Sequence, residues 1–152
     1  MEQQFINNNS KTIAIDFDGT IVEHAYPAIG KEMLFAFATI KELHKKGHKL
    51  ILFTYRTGSL LVEAVEYCRQ NGVEFYAVNK NYPEEDYNEN IPRKLNVDIF
   101  IDDRNVGGFI GWSAIWQLLH PEGGDFNHII KNPEAHNNYK QDKTFFQKIF
   151  GK

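Results

Sequence analysis

Thr12-Ile13-Ala14-Ile15 runs straight into Asp16-Phe17-Asp18-Gly19-Thr20. An apolar, β-rich run that gains charge only at its C-terminal edge fits a strand buried in an open α/β sheet, whose ligands gather at that edge. Gly19 permits the sharp turn that must follow. Two carboxylates one residue apart leave the strand end together. Acids placed this way can bind a hard cation and attack a phosphorus centre.

Three more runs repeat the pattern. Residues 49–54 read Lys-Leu-Ile-Leu-Phe-Thr, residues 74–78 form a shorter run, and residues 97–101 lead into Asp102 and Asp103. Continuous apolar runs suit strands covered on both faces in a parallel sheet. Between them lie helical patterns. Residues 31–46 carry Met33, Leu34, Phe37, Ile40 and Leu43 at helical spacing and stop at Gly47; residues 59–71 stop at Asn71-Gly72; a third helix spans about 113–119, before Pro121. Gly just past a helix is a natural C-terminal stop. The β-α-β-α-β order predicts an α/β fold with right-handed crossovers and a three-layer α/β/α sandwich around a mainly parallel sheet.

The chain of 152 residues is one domain of ordinary size, expected over 12–152 behind a flexible polar tail at 1–11. Residues 82–92 are acidic and Pro-bounded, a surface loop, and residues 121–138 are irregular in pattern. Phe145, Phe146, Ile149 and Phe150 form an apolar helical face, suited to covering the sheet, to a homo-oligomer contact or to a membrane surface. The net charge of −3, with both signs mixed along the chain, gives no strong nucleic-acid signal. No apolar run approaches the roughly 18 to 20 residues that span a bilayer, so no membrane partner is expected. Residues 1–10 lack the basic start and apolar centre of a secretion signal. Cys68, the sole cysteine, lies in a helical pattern and reads as a buried thiol in a reducing, cytoplasmic setting.

On one edge of a parallel sheet the strand ends gather Asp16 and Asp18, Thr54 with Arg56, Asn79 with Lys80, and Asp102 with Asp103. Carboxylates brought this close repel unless a cation lies between them, and an all-oxygen set suits Mg²⁺. Gly19 and Thr20 in the first turn are candidate substrate contacts. Arg56 is placed either to bind substrate phosphate or to pair with an acid, and Asn79 either to make a turn or to touch substrate. His24 and Tyr26 follow the first loop and either line its entrance or face solvent. His120, His128 and His136 lack a compact metal-binding spacing, and Trp112 and Trp116, four apart, suit helix packing.

The Asp16-Phe17-Asp18-Gly19-Thr20 element, Thr54 closing an apolar strand, a lysine before the fourth strand and the Asp102-Asp103 pair after it resemble, in order, the signature of the haloacid dehalogenase-like hydrolase superfamily. The resemblance covers roughly residues 12–108. It implies Asp16 as the nucleophile of a Mg²⁺-dependent phosphatase, forming an aspartyl-phosphate, and Asp18 as the acid that protonates the leaving oxygen and then activates water. It implies Thr54 as a phosphoryl hydrogen-bond donor, and a metal site of Asp16, Asp102 and the backbone carbonyl of Asp18, with Asp103 as a second ligand or an outer-shell acceptor. Lys94, eight residues before Asp102, best matches the charge-neutralising lysine, with Lys80 and Arg93 as rivals. The gaps after the first two motifs have no room for a cap, so the chain looks like a capless member. Ile101-Asp102-Asp103-Arg104-Asn105 is similar to small bacterial proteins related to 5′-deoxynucleotidases, and also to the phosphatase domain of polynucleotide kinases. The expected function is hydrolysis of a small phosphorylated metabolite. A catalytically silent member that binds or regulates, and a phosphatase of nucleic-acid ends, are the alternatives.

Overall fold

The computed structural model describes residues 10–121. It divides into two compact units that meet between Ile110 and Gly111. The first carries β1 (Thr12–Ile15), α1 (Ala36–Lys45), β2 (Lys49–Leu52), α2 (Gly58–Gln70), β3 (Ala77–Val78) and β4 (Ile99–Ile101). The four strands make one sheet in the order β3-β2-β1-β4, and every pair is parallel. This is an α/β fold.

The two inner strands, β1 and β2, are the most deeply buried. Ile13, Ala14 and Ile15 are all buried, as are Leu50, Ile51 and Leu52 beside them, which is why these runs read without alternation. Ala14, Ile51, Ala77 and Leu95 form one core cluster, with Phe53, Val97 and Phe100 packed against it. The two crossover helices meet through aromatic rings: Tyr67 of α2 packs on Phe37 of α1 at 5.8 Å and edge-on to Phe17 at 6.2 Å. Cys68 is buried within α2, and burial pushes its thiol up to about 12, so it packs as a neutral group.

β2 ends at Leu52, sooner than its apolar run, and β1 stops at Ile15, because the residues that follow leave the ladder for turns. The Phe17 carbonyl, two residues past the end of β1, accepts the backbone N–H groups of Thr20, Ile21 and Val22. Thr54 donates its N–H to the Asn79 side chain, not to a neighbouring strand. The first helix starts at Ala36, not at residue 31. Residues 31–33 instead pair backward: Glu23 N–H donates to Lys31 and Met33 N–H to Ile21. Phe35 then takes a left-handed φ of 63°, and Glu32 accepts the Phe37 N–H at the helix start. Among the described residues, no separate compact unit is inserted within the first unit.

The second unit carries α3 (Trp112–Leu119), beginning one residue before its expected start. Trp112 and Trp116 are buried, and the Trp116 ring stacks on His120 at 3.9 Å. His128, His136 and the aromatic segment at 143–152 lie outside the described residues. No helix among the described residues is long and apolar enough to cross a membrane.

Candidate functional site

Strand order 3-2-1-4 places a topological switch between β1 and β4, because the chain builds outward from β1 in one direction and then returns to its other side. Open parallel sheets bind ligands in the crevice beyond the C-terminal strand ends at such a point. The residues there are acids. Ile15 lies in register with Ile101, so Asp16 and Asp102 are the next neighbours, on strands about 4.8 Å apart. The Asp16 N–H donates to the Ile101 carbonyl at 2.9 Å and fixes that juxtaposition.

Oxygens of Asp16, Asp102 and Asp103 all lie within 4.8 Å of one another. Burial, and then the charges of Asp102 and Asp103, push the Asp16 carboxyl up to about 7, against the lowering effect of its backbone bond at Phe17 and the Thr20 hydroxyl. Opposite ligands of an octahedral Mg²⁺ stand about 4.2 Å apart at metal–oxygen distances of about 2.1 Å, so a small inward movement closes the cluster on a cation. Asp103 Oδ1 is buried and accepts no hydrogen bond from the protein. An orphaned oxygen on an acid clustered with two others fits a hard cation. Asp102 is steadied from outside the cluster: its Oδ1 accepts the Arg104 N–H and its carbonyl accepts the Asn105 amide.

Gly19 and Thr20 do other work than the substrate contact expected of them. Gly19 has φ +82°, and a Cβ built there would fall against the Asp103 carboxylate, 2.7 Å from its Cγ. The missing side chain is what lets Asp103 approach. Thr20 is wholly buried and its hydroxyl donates to Asp16 Oδ2 at 3.3 Å.

The Asp18 side chain turns to a different partner. Its carboxylate is not part of the three-acid cluster. It accepts a two-pronged bond from Arg56, Nε at 2.7 Å and Nη2 at 2.8 Å. Arg56 is only 1 % exposed, and the Asp18 hydrogen bonds raise its pKa further above its ordinary value. Of the two sequence-level readings of Arg56, the structure takes the acid pair.

A cavity of about 470 Å³ opens in front of the acids, lined by Asp16, Asp18, Thr54 and Asp102, with His24, Tyr26 and Tyr55 at its walls. Tyr26 and Tyr55 meet edge to face at 6.5 Å. Phe53, Tyr55 and Arg104 also belong to this lining, and sequence alone assigns them no role. Their only signal is that they stand directly beside Thr54 and Asp103. Thr54 Oγ1 accepts the Arg56 N–H at 3.2 Å, which leaves the hydroxyl hydrogen to point elsewhere. Asn79, at φ 54°, serves the turn and holds the Thr54 backbone. The three basic candidates separate: Lys80 and Arg93 line a second cavity of about 800 Å³ that shares Thr54 and Tyr55, whereas Lys94 is exposed, its ammonium 5.8 Å from the Phe100 ring centroid.

Fold and site together define a parallel α/β protein with an acidic candidate metal centre at the sheet's switch point. Among solved structures, a conserved protein from Bacteroides thetaiotaomicron is 51% identical, with a TM-score of 0.71, over 82% of this chain and 99% of that one. The chain belongs to the same family as that conserved protein, whose description names no activity. No protein-family model matches the chain, and no curated protein does.

Proposed function

We propose that this protein is a Mg²⁺-dependent phosphomonoesterase of the haloacid dehalogenase-like class, a capless three-layer α/β/α enzyme acting on a small phosphorylated metabolite in the cytoplasm. One observation carries the reading. Asp16 stands beside Asp102 and Asp103 at the switch point, with Thr54 and Asp18 on the walls of the same cavity. When bound, Mg²⁺ would be held by Asp16, Asp102 and Asp103 and would supply the positive charge that lets an anionic ester approach carboxylates.

Asp16 attacks phosphorus through a carboxylate oxygen. The bond from phosphorus to the leaving oxygen breaks as the Asp16 oxygen–phosphorus bond forms. Asp18 gives the leaving oxygen its proton, then takes one from the water that attacks the aspartyl-phosphate and releases phosphate and Asp16. Thr54 donates its hydroxyl hydrogen to a phosphoryl oxygen, and Lys94 is the first choice for the neutralising cation. The apolar C-terminal segment is read as a homo-oligomer contact, which light scattering over a concentration series tests.

The decisive experiment is hydrolysis of p-nitrophenyl phosphate with Mg²⁺ and with EDTA, for wild type and Asp16→Asn. Turnover that requires both Mg²⁺ and Asp16 supports the reading, as does acid-stable labelling of the protein by substrate phosphate. Undiminished turnover by Asp16→Asn rejects the covalent route, and absence of turnover on a broad set of phosphate esters rejects the phosphatase.

A further inference from the structure

Arg56 is a buried cation almost completely enclosed by its own protein. Its Nε and Nη2 hold the two oxygens of Asp18; Nη2 also donates to the Ala28 carbonyl at 2.7 Å and Nη1 to the Pro27 carbonyl at 2.9 Å. The guanidinium carbon lies 5.1 Å from the Phe17 ring centroid and 5.4 Å from that of Tyr26. Four of the five N–H groups an arginine offers are thus engaged, and the side chain is closed to solvent.

We propose that Arg56 is a positioning residue, which fixes the direction of the Asp18 carboxylate and ties it to the 23–30 loop that carries His24 and Tyr26 into the cavity wall. The inference rests on the phosphatase reading for what Asp18 does, and on geometry for how Asp18 is held. A two-pronged bond restrains both the rotation and the tilt of a carboxylate, which a single donor does not. The same guanidinium satisfies two consecutive loop carbonyls, so the loop cannot shift without drawing on the fork. Its own backbone is fixed against Thr54. The side chain therefore sets the mutual placement of the acid and one wall of the cavity, while the backbone N–H of the same residue holds the Thr54 hydroxyl. A guanidinium enclosed in this way has no surface left to greet a substrate, which separates positioning from phosphate binding.

The test uses the full chain and p-nitrophenyl phosphate with Mg²⁺. Arg56→Lys keeps the charge and loses the fork. Its kcat is expected to fall about 10- to 100-fold with KM within about twofold, and on the residual turnover of Asp18→Asn the same substitution is expected to change kcat by less than about twofold. A raised KM, or an undiminished effect in the Asp18→Asn background, would make Arg56 a substrate ligand and overturn the proposal. Arg56→Gln, which keeps an amide donor without charge, takes its place if the lysine variant does not fold. Should wild type turn over no phosphate ester, the phosphatase reading falls by itself. Crystal structures of wild type and the Arg56 variant then decide the positioning: a redirected Asp18 carboxylate with a displaced 23–30 loop supports it, and an unmoved pair overturns it.

Discussion

Asp16→Asn should make the metal-free protein more stable at neutral pH, although it removes the proposed nucleophile. The carboxyl ordinarily titrates near 3.8 and is pushed up to about 7 in the folded protein, by burial first and by Asp102 and Asp103 next. The folded state therefore holds this proton more tightly than the unfolded chain does. The contribution is fully present below about pH 4, is lost progressively as pH rises towards 7, and is absent above it. At roughly 1.36 kcal/mol per pH unit, the full interval corresponds to about 4 kcal/mol. Asp16 keeps some contact with water, and relaxation around the charge reduces the cost, so a measured difference of roughly 1–3 kcal/mol is the expectation. The amide of Asn is close in size and carries no charge to desolvate.

The assay is urea unfolding of both proteins in EDTA between pH 4.5 and 8.5. The stability gap in favour of Asp16→Asn should widen with pH and level off above about 7.5. Mg²⁺ should then restore wild type at pH 8 and leave the variant almost unchanged, since a ligand stabilises only the state that binds it. A gap independent of pH, or an Asn variant less stable than wild type at pH 8 in EDTA, would refute the reasoning that burial and acid crowding set the Asp16 carboxyl.

Other expectations are shorter. Gly19→Ala should lose Mg²⁺ affinity, because the added methyl must displace the Asp103 carboxylate, and a left-handed backbone costs a non-glycine residue about 1–2 kcal/mol besides; isothermal titration with Mg²⁺ reads the first and thermal unfolding the second. Asp18→Asn should reduce kcat by roughly 10²- to 10⁴-fold with the fold intact, the usual worth of a positioned proton donor. Lys94→Ala should lower kcat/KM more than Lys80→Ala or Arg93→Ala does. If the order is reversed, the neutralising cation enters from the neighbouring cavity lined by Lys80 and Arg93.

What sequence can disclose about this site follows from how each contact is made. The meeting of Asp16 with Asp102 needs only that two apolar runs become adjacent parallel strands in register, and both runs are plain in the chain. The place of Asp103 follows from Asp102, and Gly19 marks the turn that receives it. The start of α1 is hidden for the opposite reason. Met33 and Leu34 fit a helical stripe, but the backbone of residues 31–33 is claimed by residues 21–23, a competition that local periodicity does not contain. The Arg56–Asp18 fork is hidden more deeply. Its partners are 38 residues apart, and what aims the guanidinium is a pair of backbone carbonyls at Pro27 and Ala28, which no side-chain pattern encodes. Sequence therefore reveals which charges reach the sheet edge. The irregular 23–30 loop holds the Arg56 guanidinium through the Pro27 and Ala28 carbonyls, and that fork separates the three acids able to hold a cation from the one acid already held by an arginine.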